Sequence, residues 1–460
     1  MLELDDTIVA LATPPGRSGI GVIRLSGKQS LRILRRLVGC HDYDPTPNQL
    51  VLKSLLDPHT DATLDEALVC YFKAPHSFTG EDVVELHCHG SPVLLRAVID
   101  ATLALDARTA TPGEFSLRAV ANGRLKLSEA EAIRDLIDAQ TDAAVHLATR
   151  QLKGEISHAL QPLKEELLAM IVRLESSLEF VEDDLPQLEQ ERIVDSLGRL
   201  RSTFQQMAGT FQRGKLLRDG LRITLVGRPN AGKSSLFNML LGRARAIVHD
   251  IPGTTRDTIT EFIGINGVPV LITDTAGLRV SHDQVEAIGV DRTKREAADS
   301  DLLIVVIDGS QPLTDEDRDA LSDAVTRRHV IALNKSDLNT FSEARLEPEL
   351  LSELGTTSVV SVSAKAGAGI DRLRATLLEP FATGQANGDG LMITNARHHD
   401  LLLRAIDSLS SSERLMRDHA GEELILVGLH DALRYLGEIT GETTSDQILG
   451  EIFSTFCIGK

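Results

Sequence analysis

Four short segments of the chain carry residue types suited to one chemistry, the handling of a phosphate chain and its base. Gly227–Ser234 reads GRPNAGKS and fits the spacing G-x-x-x-x-G-K-[ST]. Glycines there let backbone N–H groups approach phosphates, and a following helix N-terminus favours their negative charge. Asn230, Ala231, Gly232, Lys233, Ser234 and Ser235 then form a phosphate cradle, with Lys233 reaching the β- and γ-phosphates and Ser234 ligating Mg2+. DTAG (Asp274, Thr275, Ala276, Gly277) places a carboxylate near that metal and a small backbone N–H site at the γ-phosphate. In NKSD, the Asp337 carboxylate after Asn334 and Lys335 accepts two N–H bonds from guanine, a donor pair that adenine lacks. SAK (Ser363, Ala364, Lys365) completes a base pocket. The first motif alone would also fit a glycine-rich turn with no ligand. Four motifs in this order, each after a β-like run, predict GTP.

HDIPGTTRD, His249 to Asp257, lies between the first two motifs and reads as a switch loop, in which one threonine closes onto Mg2+ when the γ-phosphate is present. Its residues His249, Asp250, Ile251, Pro252, Gly253, Thr254 and Thr255 join the nucleotide set. Leu278 follows the DTAG element where many GTP-hydrolysing switches carry a water-orienting glutamine, and leucine offers no side-chain hydrogen bond. Two residues are candidates to replace that function. Asn230 could hold a monovalent cation against the phosphates, and Glu286, on the polar stretch SHDQVEAIG, could orient water. By pattern alone either could equally be an ordinary surface residue.

The elements that must position these groups separate into four regions. Residues 1–121 alternate short β-like runs (TIVALAT, GVIRL, EALVCYF, DVVELHC) with turns and two helix-like stretches, an α+β pattern. Residues 122–219 are helical in period: Ser128 and Glu131 read as a capping box ahead of Ile133 and Ile137, and Leu167, Ile171, Leu174 and Leu178 recur at helical spacing. Val194, Leu197, Phe204, Met207 and Phe211 do the same, beyond an acidic run around Pro186 that reads as a solvated loop. Residues 220–382 alternate strands (LRITLVG, VPVLITD, DLLIVVID, HVIALN, TSVVSVS) with helices, the pattern of a doubly wound parallel sheet. The glycine-rich TGQANGDG then leads back to helical stripes in residues 383–460, through Leu401, Leu402, Ala405, Ile406 and Leu409 and then Leu429, Leu433 and Leu436. One helical domain with an α/β domain inserted into it is the economical arrangement.

Composition narrows the partners. The net charge of −19 at pH 7 argues against a broad nucleic-acid grip, because phosphate neutralisation needs a basic surplus. A local cluster of Arg17, Arg24, Lys28, Arg32, Arg35 and Arg36 is the exception, although a solvated helix face accounts equally well for the last three. No apolar run approaches the ~20 residues of a membrane span, and the acidic N-terminus MLELDD is unlike a signal peptide. Four scattered cysteines without a C-x-x-C fit a reducing cytoplasm. His87 and His89 flank Cys88, but on a strand the two histidines share a face opposite the cysteine, which leaves little room for a metal.

Over essentially its whole length the chain resembles the tRNA-modifying GTPases of the MnmE (TrmE) family. The matching segments are TIVALATPPGRSGIGVIRLSG, SFTGEDVVELHCHGSPV, TPGEFSLRAVANGRLKLSEAEAI, GRPNAGKSS, IPGTTRD, DTAGLR and FCIGK. The resemblance implies an α+β folate-binding-like N-terminal domain that also dimerises, an α-helical domain, and an inserted α/β P-loop G domain. It implies a K+-dependent GTPase activated when its G domains pair. Asn230, His249, Ile251 and Thr254 would coordinate K+, with His249 and Ile251 acting through their carbonyls. Ser234 and Thr255 would bind Mg2+, and Glu286 matches the catalytic glutamate. A tetrahydrofolate derivative would meet Arg24, Glu85, Arg124 and Lys460. Cys457 matches a functionally required cysteine, and Phe453 and Phe456 predict a packed tail around it. Cys88 and Ser91 depart from the family's glycines in HCHGS.

The implied reaction adds a carboxymethylaminomethyl or aminomethyl group to carbon five of the wobble uridine of certain tRNAs. It is carried out with MnmG, a partner that brings FAD and uses NADH. A regulatory GTPase switch in RNA or ribosome assembly is the alternative from another class. A folate-dependent one-carbon transferase regulated by GTP is a third. The folate-like segments and FCIGK have no place in a simple switch.

Overall fold

Alternation of apolar and polar residues sets the first sheet. The computed structural model describes residues 5–179, 187–242, 259–274, 300–346, 358–381 and 390–459. In chain order, β1 (Ile8–Leu11), β2 (Ile20–Ser26), α1 (Ser30–Leu37), β3 (Val51–Leu56), β4 (Thr63–Phe72) and β5 (Val83–His89) come first. They are followed by α2 (Pro92–Leu103), β6 (Arg108–Thr109) and α3 (Glu114–Ala121). The strands lie in the order β3-β4-β5-β2-β1-β6, antiparallel apart from the β1–β6 pair. Ile23, Leu25, Val69, Val84 and Leu86 form a core with Ile33, Leu34 and Leu37 of α1 and Leu95 and Val98 of α2. On the other face, register aligns Leu52, Leu68, His87 and Val22 in one row and Cys70, Glu85 and Arg24 in the next. The α+β expectation is met. It missed β3 and the two-residue β6, which are too irregular or too short to show a period.

The helical stretch opens with α4 (Leu127–Asp138), α5 (Asp142–Leu152), α6 (Glu155–Glu179), α7 (Gln187–Gly209) and α8 (Phe211–Asp219). The capping box expected at Ser128 and Glu131 is not formed. The helix begins at Leu127, two residues before the start that a Ser128 cap would set, and the Glu129 carboxylate accepts the Lys126 N–H at 3.0 Å. Ser128 is buried and pairs its hydroxyl with that of Ser157 at 3.3 Å, a demand of packing that overrides the local cap.

The second sheet is built from β7 (Leu221–Val226), α9 (Lys233–Leu241), β8 (Ile259–Ile265), β9 (Val268–Asp274), β10 (Leu302–Asp308) and α10 (Asp315–Ala324). β11 (His329–Asn334), β12 (Ser358–Ser361) and α11 (Ile370–Leu378) complete it. Strand order is β12-β11-β10-β7-β9-β8. Five strands run parallel as expected, but the sixth corrects the all-parallel reading. β8 is an antiparallel edge strand joined to β9 through Asn266 and Gly267, whose φ values of 51° and 84° suit a two-residue hairpin. β10 is buried along its whole length, with alternate residues in two cores on opposite faces.

Beyond it lie α12 (Ala396–Arg417), α13 (Glu422–Thr440) and α14 (Asp446–Ser454). The chain forms two compact units: Met1–Arg134 with Gln151–Asp184 and Ala420–Lys460, and Asp135–Arg150 with Leu185–His419. In the first, α6 packs on α13; in the second, α7 packs on α12. Both pairings join a helix before the second sheet to one after it. The expected apolar stripe of α12 is buried; of that of α13, Leu429 and Leu436 are buried and Leu433 is half-buried. The linker at 383–389 lies outside the described residues.

Candidate functional site

The phosphate-type loop leaves β7 through Gly227, at φ 140°, where a Cβ would lie 2.4 Å from the Val306 carbonyl oxygen of β10. No other residue fits so close a backbone approach. Asn230 is exposed in the left-handed region, with φ 61°, which a short amide side chain tolerates. Gly232, at φ 100°, is followed by α9, whose first turn presents Ser234 and Ser235 to solvent. Lys233 is buried, and its ammonium donates to the carbonyls of Gly227 at 2.7 Å and Arg228 at 2.9 Å. Asp274, the last residue of β9, is 1 % exposed and pairs in register with Leu225 beside the loop's origin.

A buried amide ties the base-type loop to the phosphate loop. Asn334 Nδ2 donates to the Ala231 carbonyl at 2.9 Å, and its Oδ1 accepts the Ala364 N–H at 3.0 Å. Ser363, fully buried, donates its hydroxyl to Asp337 Oδ1 at 2.6 Å and accepts the Ala366 N–H at 3.0 Å. The Ser363 hydrogen bond leads the effects that hold the Asp337 carboxyl below its ordinary range. Asp337 and Lys365 remain exposed. Three of the four motifs are thus brought together by hydrogen bonds, and Asp274 of the fourth stands beside them.

Sequence reasoning passed over three charged residues here. Asp308, at the end of β10, accepts the Lys335 ammonium at 2.6 Å. Arg228 lies 3.1 Å from the Asp317 carboxylate and 3.7 Å from that of Asp308. Burial by itself would raise the Asp308 carboxyl, but Lys335 and Ser310 outweigh it and hold it below the usual carboxylate range. The only available signal was an acid ending a continuous apolar run.

A second site lies on the open face of the first sheet. Arg24 and Glu85 face each other in register on β2 and β5, and the guanidinium contacts one carboxylate oxygen at 2.7 and 2.9 Å. Arg24 also reaches the Gly459 carbonyl at 3.4 Å and stands 5.8 Å from the Phe78 ring and 5.9 Å from the Phe115 ring. Arg124 donates to the Ser77 carbonyl at 3.1 Å and packs under Gly80, so it holds the turn that carries Phe78. The tail is packed as expected: Phe453 and Phe456 have ring centroids 5.0 Å apart and join Leu117 and Leu127 in a core. Cys457 is exposed, and its carbonyl accepts the Gly113 N–H.

His89 Nδ1 lies 2.7 Å from the Asp65 carboxylate, which accepts from the ring N–H, and His87 lies 3.3 Å from Glu85. Among the described residues no cluster of three metal-ligating groups occurs. Cys88 points into the core, opposite the histidines. Its side chain is accommodated among the apolar residues of that core, whereas the neighbouring Gly90 has no room for one: a Cβ there would lie 2.3 Å from the Ser18 carbonyl oxygen. Ser91 has an ordinary φ of −81° at the start of α2.

His249, Asp250, Ile251, Pro252, Gly253, Thr254, Thr255, Thr275, Ala276, Gly277, Leu278, Glu286 and Lys460 lie outside the described residues.

Comparison with known proteins adds an independent observation. Residues 7–124 match the model of the N-terminus of the GTP-binding protein TrmE, and residues 127–457 that of the MnmE helical domain. The tRNA modification GTPase MnmE of Koribacter versatilis is 42% identical over 464 residues, covering 100% of both chains. That of Aquifex aeolicus is 41% identical over 99% of this chain and 100% of its own, and that of Enterococcus faecalis 40% over 99% and 98%.

Proposed function

The chain belongs to the MnmE (TrmE) family of tRNA modification GTPases, and on that premise we propose how its two sites divide the work. The second sheet binds and hydrolyses GTP. The first sheet holds a tetrahydrofolate derivative that serves addition of a carboxymethylaminomethyl or aminomethyl group to carbon five of the wobble uridine. MnmG supplies the flavin and NADH chemistry. The observation that carries the reading is the Asn334 amide joining phosphate loop and base loop, beside an Asp337 carboxylate aimed by Ser363.

The donors around the phosphate loop are oxygens, which suit hard cations. Ser234, exposed at the helix start, and the buried Asp274 carboxylate favour Mg2+ with Thr255, and Asn230 favours K+ with His249, Ile251 and Thr254. Bound cations would supply charge neutralisation on the phosphates during hydrolysis. Glu286 takes the water-orienting task that Leu278 cannot perform.

Arg24, which stands 5.8 and 5.9 Å from the Phe78 and Phe115 ring centroids, holds the Glu85 carboxylate for the donor edge of a pterin, with Arg124 and Lys460 completing the set. Homodimerisation through this domain is supported by apolar side chains on or beside its open face: Ile20, Leu50, Leu52 and Leu68 are each at least 40% exposed. A cytoplasmic setting suits four free thiols, and no described helix is long and apolar enough to cross a membrane.

The charge problem is met by division of labour. Arg24, Lys28, Arg32 and Arg35 of the basic cluster are each paired with an acid, which leaves little of it to grip tRNA, so MnmG does more of the holding. Tight tRNA binding by the purified chain alone at physiological salt would count against this. The decisive test digests total tRNA from cells whose only copy carries Glu286→Ala, beside wild-type and deletion strains, and measures wobble-uridine modification by mass spectrometry. Loss in mutant and deletion supports the reading. Loss only in the deletion removes Glu286 from it, and loss in neither favours a regulatory switch.

A further inference from the structure

Asp308 belongs to neither the phosphate cradle nor the base pocket, yet its side chain touches residues of both. One oxygen, Oδ2, accepts the Lys335 ammonium at 2.6 Å and lies 3.7 Å from the Arg228 guanidinium. The other, Oδ1, accepts the Ser310 N–H at 3.0 Å and the Ser310 hydroxyl at 2.6 Å. The side chain is 2% exposed, so the pairing operates largely out of water.

The two cations come from different loops. Arg228 is the second residue of the phosphate loop, and its own carbonyl accepts the Lys233 ammonium at 2.9 Å. Its guanidinium is anchored further by Asp317 at 3.1 Å and Gln311 at 3.1 Å. Asp317 is itself fixed as the capping box of α10, with Thr314. Lys335 follows Asn334 in the base loop and stands in the left-handed region at φ 69°, a conformation that needs outside support in a residue with a Cβ. One buried anion therefore holds a cation from each loop. With its charge removed, Lys335 would lose this carboxylate while Arg228 kept only that of Asp317, so the electrostatic link between the two loops would be gone.

We propose that Asp308 is a positioning residue for the guanine nucleotide, locking the phosphate loop and the base loop in register before the ligand arrives. The proposal rests on the GTP-site reading above. Asp308 acts through Lys335 and Arg228, and its effect is preorganisation: a site already assembled loses less affinity to ordering.

The test uses the full chain and two measurements, equilibrium titration with a fluorescent GDP and steady-state GTP hydrolysis. Asp308→Asn keeps the shape and removes the charge. The Kd for GDP rises about 10- to 100-fold, the range of one charge-assisted hydrogen bond. KM for GTP rises by a like factor, while kcat changes less than about threefold. Lys335→Met also weakens binding, and the double variant is no weaker than the worse single one, because both remove the same contact. Asp308→Asn within about threefold of wild type overturns the proposal, as do effects that simply multiply in the double variant. Should Asp308→Asn fail to fold, Arg228→Met and Lys335→Met replace it: their effects on Kd must be non-additive, and additivity overturns the proposal. A wild-type chain that binds no GDP overturns the nucleotide reading itself. Binding by wild type with an unaffected variant overturns only the role of Asp308.

Discussion

A Cβ placed on Gly232 would lie 2.2 Å from the amide nitrogen of Asn334, closer than two non-bonded heavy atoms can approach. The same amide bridges Ala231 and Ala364, so the glycine and the asparagine are two halves of one contact. Gly232→Ala must therefore push Asn334 aside and also adopt φ 100° with a side chain. The expected result is a GTP affinity at least about 100-fold weaker by calorimetry, with near-normal far-UV circular dichroism. Unchanged affinity would mean that the loops are not coupled here.

Asp337 accepts one hydrogen bond from Ser363 through Oδ1 and faces solvent with the rest of its carboxylate. Asp337→Asn replaces an acceptor pair with one acceptor and one donor group. Guanine then loses a partner, whereas xanthine, with a carbonyl in place of the amino group, gains one. Competition binding should show GDP weakened by roughly 100-fold and XDP strengthened, a reversal that general destabilisation cannot produce.

Glu114 in the N-terminal unit supplies a pH-dependent term. Burial by itself would raise its carboxyl, but the Arg108 fork, the Thr111 N–H and Arg118 outweigh it and bring the pKa from an ordinary 4.5 down to about 2. Because the folded value is the lower one, the stabilisation is complete above about pH 4.5 and disappears as pH falls through about 2. At 1.36 kcal/mol per pKa unit the drop is worth ~3 kcal/mol. Glu114→Gln should lower unfolding stability by about that much at pH 7 in denaturant titrations followed through this unit. The gap to wild type should narrow steadily on acidification. A gap that is constant with pH would show that the charge is not what matters.

The four cysteines divide by access rather than by spacing. Cys40 and Cys457 are exposed, whereas Cys70 and Cys88 are buried, and burial pushes the Cys88 thiol up to about 12. A thiol-disulfide reagent at pH 8 should titrate two thiols quickly in the folded chain and four in denaturant. Fast reaction of a third would contradict the burial of Cys70 or Cys88.

Much of this was open to reading from local pattern. The phosphate and base motifs are contiguous, each sits at the end of a strand, and their chemistry needs only a strand, a glycine turn and a helix start. The buried stripe of α12 was visible for the same reason, a period that repeats within one element. The antiparallel β8 edge was also within reach, since Asn266-Gly267 is a hairpin signal that went unused. The misplaced cap at Ser128 has a different origin. Nothing local announces that Ser157 will take the hydroxyl.

The sequence by itself determined the element types, the nucleotide motifs and the family, because those depend on residue spacing within a few turns of chain. Only the tertiary structure decided that Arg24 and Glu85, 61 positions apart, share one ion pair, and that Asp308 serves Arg228 and Lys335 together. Such partners are chosen by strand register and burial. A charge taken out of water must find its counterion in space, and sequence distance places no limit on where that counterion lies.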